Sequence, residues 1–338
     1  MKEHHGQPLT ERAGERAIAH AVRLLKAGAL VAFPTETVYG LGADARNVDA
    51  VHAIFAAKGR PADHPVIVHL ADACDIDAWC SAVPPLARKL AATFWPGPLT
   101  LILPRAEGVH DALTGGQSSI GLRVPAHPAA QALLHAFGSG IAAPSANRFG
   151  RISPTTAGHV AEDLGDAVAL IIDGGPCKVG IESTIIAFDD EAPVLLRPGG
   201  ISVDTLTAIL GRAPQAPDAR APRVSGTLAS HYAPRTPARL IDATTLRAAV
   251  ETSRVERMGV LSRSVVRPPN FSGTWVDAPG DAIAYAQMLY AHLRALDRAD
   301  AKLILIEAPP EDASWLAVRD RLERATHPGG VDPVDDID

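Results

Sequence analysis

The chain has 338 residues and a mass of 35.4 kDa, enough for two domains of ordinary size. Hydrophobic residues make up 47% and the mean hydropathy is +0.07, which excludes a mainly disordered polymer. A formal charge of −6 excludes a chain built to coat nucleic acid, and no apolar run reaches the roughly 20 residues of a membrane span. The periodicity predicts a helix over about 11–26, with Thr10 as its N-cap, Ala17, Ala21, Leu24 and Leu25 on one face, and Gly28 as its stop. A short buried strand follows at 30–33 and breaks at Pro34. Next come a helix at 49–58, a strand at 66–70, a helix at 85–94 and a strand at 99–103. Further strands are expected at 120–124, 141–143, 170–173, 184–188 and 194–196, with helices at 129–137, 156–164 and 203–210 among them. Residues 1–211 therefore read as an α/β domain with a mixed sheet.

From 212 to 237 the pattern collapses. Pro214, Pro217, Pro222, Pro234 and Pro237 mark an extended linker, with Ser230-His231-Tyr232-Ala233-Pro234 set inside it. Beyond it, strands near Leu240, Val260, Trp275 and 303–306 alternate with helices near Leu246, 284–295 and 317–324. Residues 238–338 thus form a smaller open α/β domain ending in an acidic tail, Asp332 to Asp338.

The opening Met1-Lys2-Glu3-His4-His5 has no apolar signal core, and Cys74, Cys80 and Cys177 give neither a CxxC pair nor a zinc spacing. A reduced, cytoplasmic protein without a structural metal is expected. There is no GxxxxGK[ST], HExxH or GxSxG. Gly40-Leu41-Gly42-Ala43-Asp44-Ala45 fits GxGxxA, but the preceding strand ends six residues earlier and 44–47 reads as a loop, against a dinucleotide turn.

The stronger signal is a set of small polar and basic clusters at strand ends and in loops: Pro34–Gly40, Lys58–Pro61, Ser118-Ser119, Arg123, Pro144–Asn147, Glu182–Thr184 and Arg197–Gly200. Taken one at a time, several have plain structural readings. Lys58 and Arg60 suit the negative end of a helix, Ser145 and Asn147 suit a turn, and a lone His69 at a strand end is usually structural. Arg123, between Leu122 and Val124, needs a carboxylate or phosphate partner. Residues 112–161 contain Arg123, Arg148 and Arg151 but no Asp or Glu, which fits either buried elements or a cavity that must not repel an anion.

With these clusters in order, the chain resembles the Sua5 branch of the YrdC/Sua5 family, the threonylcarbamoyl-adenylate synthases. The matching stretches are PTETVYGLG (34–42), KGRPADHPVIVHL (58–70), WPGPLTLIL (95–103), GLRVP (121–125), PSAN (144–147), EST (182–184) and RPGG (197–200). The resemblance implies a YrdC-like twisted mixed sheet with flanking helices, and a Rossmann-like C-terminal domain. It implies formation of threonylcarbamoyl-AMP and pyrophosphate from L-threonine, bicarbonate and ATP. A downstream transferase complex would use this product to make N6-threonylcarbamoyladenosine in tRNA. Carried over by motif, Thr37, His69, Arg123 and Ser183 surround threonine. Lys58, Arg60, His64, Ser119, Ser145, Asn147, Ser153, Arg197 and Tyr232 line the ATP side, with Lys58 and Arg60 the catalytic pair. Magnesium would arrive on the triphosphate, with no metal held by the protein itself. Two departures stand out: His64 replaces a usual Asn, and Ser225-Gly226 lacks the usual proline before the glycine. An RNA-binding module, the rival from another class, needs clustered cations with interleaved aromatics. Six lysines and 4% aromatics do not supply them, so no strong direct nucleic-acid binding is expected. A carbamoyl-adenylate enzyme of hydrogenase maturation would carry cysteine zinc motifs, and these three cysteines do not form them.

Overall fold

The computed structural model describes residues 8–252 and 257–328, so the opening residues 1–5 and the acidic tail lie outside it. The chain divides into two compact units, one of 8–149 with 153–227 and one of 150–152 with 228–328. In chain order the first unit contains β1 (Thr10–Arg12), α1 (Glu15–Lys26), β2 (Val31–Phe33), β3 (Gly40–Asp44), α2 (Val48–Lys58), β4 (Ile67–His69), α3 (Pro85–Phe94), β5 (Leu99–Pro104) and α4 (Asp111–Thr114). It continues with β6 (Ser119–Arg123), α5 (Pro128–Phe137), β7 (Ile141–Ala142), α6 (Ala157–Leu164), β8 (Leu170–Asp173), β9 (Thr184–Asp189), β10 (Ala192–Arg197) and α7 (Val203–Leu210). Among the described residues these strands form one mixed sheet in the order β1-β8-β2-β3-β7-β4-β6-β5-β9-β10.

Two differences from the sequence reading have physical causes. Residues 10–12 do not begin the first helix. They pair parallel with β8, Thr10 opposite Ile171, and α1 starts only after Gly14. Edge pairing to a distant strand outweighs the local helical pattern here. Likewise, Gly40–Asp44 is a strand antiparallel to β2. A Cβ at Gly42 would lie 2.8 Å from Phe33 Cε1 and 3.1 Å from the Val31 carbonyl, so glycine is what lets these strands approach. The GxGxxA stretch is therefore sheet, not a phosphate-binding turn.

Strand alternation splits the sheet's side chains between two faces. On one face Val68, Leu101, Leu103, Leu122 and Ile186 join the main core with α2 and α3 residues such as Ile54 and Leu90. On the other, Val31, Phe33, Ile141 and Leu170 pack with Leu25, Leu133 and Leu134 of α1 and α5. Farther along that second face, Ile102, Ile185, Val194 and Leu196 form a smaller cluster with Val224. The intervening strands β4 and β6 turn His69, Ser119, Gly121 and Arg123 toward it, with His69 opposite Arg123 and Ile67 opposite Gly121. The apolar cover of this face is interrupted by polar side chains, and the site lies there.

The proline-rich stretch does not behave as one linker. Gln215 hydrogen-bonds the Pro193 and Leu195 backbone at 2.8 and 2.9 Å, and Val224 enters the first unit's small cluster. Residues 228–237 belong to the second unit: Arg324 donates to the Leu228 carbonyl at 2.6 Å, and the His231 N–H donates to the Arg324 carbonyl at 3.2 Å.

The second unit contains β11 (Ala238–Ile241), α8 (Ala243–Thr252), β12 (Met258–Ser262), β13 (Thr274–Asp277), α9 (Ala282–Arg298), β14 (Leu303–Glu307) and α10 (Leu316–Ala325). Its sheet, ordered β11-β14-β12-β13, is parallel throughout, as the strand–helix alternation predicts. At the carboxyl end of β14 the buried Glu307 accepts bonds from the Ser262 hydroxyl (2.8 Å) and from the N–H groups of Arg263, Ser264 and Val265 (2.7, 2.8 and 3.2 Å), and also from the Ser264 hydroxyl.

Candidate functional site

Four cations of the first unit are nearly inaccessible: Lys58, Arg60, Arg123 and Arg197 expose 2, 8, 4 and 3% of their surface. Buried charges need partners, and each has them. Arg123 ends β6. Its Nε donates to the Gly97 carbonyl (3.2 Å), Nη1 to the Thr37 hydroxyl (2.9 Å) and Nη2 to Glu36 Oε1 (2.6 Å). The carboxylate partner that an arginine in an apolar strand requires is thus Glu36, inside the PTETVYG stretch. Thr37 is held by Thr35 at 2.8 Å, and Thr35 donates to the Val38 carbonyl at 2.6 Å.

His69 sits beside Arg123 in the β4–β6 register and edge-on to Phe33, ring centroids 6.0 Å apart. Burial, and then Arg123, hold its imidazole down to about 3, so it is neutral at pH 7. Its Nδ1 is buried and has no hydrogen-bond partner among the described residues. Ser183, just before β9, lies 2.8 Å from the Thr100 hydroxyl and accepts from Arg197 Nη2 at 3.1 Å. Arg197 also donates to the Ser183 carbonyl. Gly199 permits this close contact, since a Cβ there would fall 2.3 Å from the Thr184 nitrogen.

Lys58 closes α2 but does not serve its own helix. Its Nζ donates to the Ser145 and Asn147 carbonyls at 2.5 and 2.6 Å, locking the PSAN loop to the helix end. Burial, with Arg60 adding to it, depresses its pKa well below the ordinary lysine value. Arg60 stands over the Phe149 ring, with His64 edge-on to the same ring at 5.3 Å. Burial and then Arg60 lower the His64 pKa. Ser153 donates to Glu182 at 2.6 Å, and Ser119 opens β6 on the polar face.

Of the residues expected from sequence, Thr37 is bonded to Arg123, which stands opposite His69 where β4 and β6 end, and Ser183 is bonded to Arg197 at the end of β10. Lys58, Ser145 and Asn147 are bonded together, as are Arg60, His64 and Phe149 by ring contacts. Tyr232 is buried in the second unit, tilted on Tyr290 and under the Arg321 guanidinium at 5.3 Å. Sequence reasoning gave no role to Glu36, Thr100 or Glu182, though Glu36 is the carboxylate of its motif. It also missed Ser225. The Ser225 hydroxyl lies 3.1 Å from Arg60 Nη2 and its carbonyl 2.7 Å from Arg197 Nη1, while Arg223 pairs with Asp63 at 3.3 Å. The crevice beneath, lined by Pro65, Ile67, Ser119, Gly121 and Val224, is only about 10 Å³.

These features define a mixed α/β protein that buries Arg123 and Arg197 at strand ends and Lys58 at the end of α2, with small hydroxyls beside the two arginines. The chain belongs to the Sua5/YrdC family. The family model for Sua5, YciO and YrdC, described as "Telomere recombination", matches residues 23–199, and the model for the "Threonylcarbamoyl-AMP synthase, C-terminal domain" matches 201–326. The threonylcarbamoyl-AMP synthase of Bacillus subtilis is 40% identical over 322 residues, covering 91% of this chain and 92% of its own. That of Pyrococcus abyssi is 39% identical over 333 residues, covering 94% and 96%. The crystal structure of Pyrococcus abyssi Sua5 complexed with L-threonine superposes with a TM-score of 0.85 at 37% identity, covering 94% of this chain and 96% of that one.

Proposed function

We propose that this chain makes threonylcarbamoyl-AMP and pyrophosphate from L-threonine, bicarbonate and ATP, a nucleotidyl transfer that supplies the modification of tRNA adenosine. The observation that carries this reading is the set of buried cations Arg123, Arg197, Arg60 and Lys58, in a chain similar over nearly its whole length to synthases of that name. Threonine and bicarbonate give N-carboxythreonine and water. A carbamate oxygen then attacks the α-phosphorus as the bond to pyrophosphate breaks. The substrate supplies the nucleophile, so the protein's work is to position the reactants, offset charge and exclude water.

On this reading Arg123 holds the threonine carboxylate, with Thr37, Ser183 and the bare Nδ1 of His69 offering acceptors and donors to its polar groups. Lys58, Arg60 and Arg197 face the phosphates, and Ser119, Ser145, Asn147, Ser153 and His64 complete the nucleotide side. An incoming triphosphate favours the charged form of Lys58 and reverses part of its pKa depression. Among the described residues no three His, Cys, Asp or Glu side chains are grouped to hold a metal. The lining is cationic and hydroxylic, so it suits magnesium held by phosphate oxygens and water. Tyr232 is proposed as a nucleotide contact by motif alone. The product's consumer is a transferase acting on tRNA. No helix among the described residues is long and apolar enough to cross a membrane.

Incubation with ATP, bicarbonate and labelled threonine, followed by chromatography, tests the assignment. A labelled adenylate formed together with pyrophosphate is expected; label remaining wholly in free threonine would overturn it. The same site predicts a thermal signature. At a hundredfold excess over Kd, threonine adds about 2.7 kcal/mol to the stability of the native state. Serine lacks a methyl group worth roughly 1–3 kcal/mol in a fitted pocket, so at equal concentration it raises Tm less. Equal shifts in a differential scan would contradict a threonine-shaped pocket.

A further inference from the structure

The loop after β2 carries a carboxylate that motif reading leaves without a task. Glu36 is 8% exposed and flanked by Thr35 and Thr37. Its Oε1 takes the Arg123 Nη2 bond at 2.6 Å, its Oε2 accepts the Ala126 N–H at 3.0 Å, and its backbone carbonyl accepts the Val179 N–H at 2.7 Å. One residue therefore ties together the loop after β2, the turn after β6 and the loop that leads into β9.

Arg123 has five N–H groups. Gly97, Thr37 and Glu36 use one each on Nε, Nη1 and Nη2, and one N–H remains on each terminal nitrogen. One outward N–H from each terminal nitrogen is a pair that a carboxylate can accept together. The guanidinium can rotate about its own side-chain torsions, and the Glu36 bond fixes which way the remaining pair faces. We propose that Glu36 is a positioning residue for threonine: it clamps Arg123 so that the unused pair of N–H groups meets the substrate carboxylate. The proposal rests on the assignment of Arg123 to threonine.

Glutamine is the informative replacement. It keeps the shape and one acceptor, but if its oxygen faces Arg123 its amide NH₂ meets the Ala126 N–H, donor against donor. The clamp is lost at one end or the other. Steady-state kinetics on the full-length protein, with both substrates varied, read the result. Glu36→Gln should raise the KM for threonine at least about tenfold, the scale of one charge-assisted hydrogen bond, while the KM for ATP stays within about twofold. Saturating threonine should restore kcat to within roughly threefold, because the phosphate side is untouched. Glu36→Asp keeps the charge and should recover part of the threonine KM.

A purely structural role predicts something else: lower Tm and fewer active molecules, with both KM values unmoved. That pattern, or KM values for threonine and ATP rising together, overturns the proposal. Should Glu36→Gln fold poorly, Glu36→Asp and the threonine-induced Tm shift carry the test, and a wild-type shift in Glu36→Asp counts against it. Arg123→Lys separates the two levels. If it leaves threonine kinetics unchanged, the assignment of Arg123 is wrong and the clamp falls with it. If it impairs threonine use while Glu36→Gln does not, only the clamp falls.

Discussion

Replacing Arg123 by lysine lowers kcat/KM for threonine about ten- to a hundredfold, the cost of a lost charge-assisted bond, and moves the KM for ATP no more than about twofold. Lysine keeps the charge but presents three N–H groups from a single nitrogen. That nitrogen cannot reach the Gly97 carbonyl, the Thr37 hydroxyl and Glu36 while also forming a two-point contact with a carboxylate. Initial-rate measurements with threonine and ATP varied in turn check the split. Unchanged threonine kinetics in a protein of unchanged Tm would remove Arg123 from the binding site.

Replacing Glu307 by glutamine destabilises the second unit by about 3 kcal/mol, in the range for breaking a buried charged network, and lowers its Tm by about 10 °C or more. Four of the donors converge on Oε2, from the Ser262 hydroxyl and the N–H groups of Arg263, Ser264 and Val265. Glutamine offers only a neutral oxygen there and turns an NH₂ toward Arg263 Nη2, which lies 3.8 Å from Oε1. The pH dependence follows. Burial alone would raise the carboxyl pKa, but the bonds from Ser264, Ser262 and Arg263 outweigh it and bring it from 4.5 to about 2. A depressed carboxyl contributes stability above its unfolded pKa and loses that contribution as pH falls from about 4.5 toward about 2. Urea titrations between pH 2 and 7 should show the wild-type protein losing this increment over that window, and Glu307→Gln lacking it. A variant with wild-type stability and the same acid profile would show that the network contributes nothing net.

Much of the fold can be read from residues whose signals are local. Helix α3 opens on Pro85 at its first position, and α7 runs from a Ser202 cap to Gly211 in the left-handed region. Strand β1 had no such signal, because Thr10-Glu11-Arg12 is polar and becomes a strand only by pairing with residues some 160 positions away. Strand β3 was hidden by the glycines that its close packing demands. The site divides in the same way. Arg123 is conspicuous because a guanidinium in an apolar strand calls for an anion. Its partner Glu36, 87 residues earlier, is set by tertiary geometry. Ser225 was obscured by lying in a stretch that reads as featureless coil, whereas its backbone and hydroxyl are anchored between two arginines.

That anchoring bears on how tightly a nucleotide can be held. Ser225 already takes one N–H from Arg60 and one from Arg197, and Val224 beside it is seated on Ile102 and Ile185. If phosphate oxygens use those same N–H groups, they must exchange with a rival that belongs to the chain. A tethered rival acts at an effective concentration in the millimolar range for a short connection, set by the tether and not by dilution. Apparent nucleotide affinity then depends on the length and stiffness of residues 212–227 as well as on the arginines. Chains alike in every phosphate contact can differ in the ATP concentration they require, through nothing more than the sequence of this stretch.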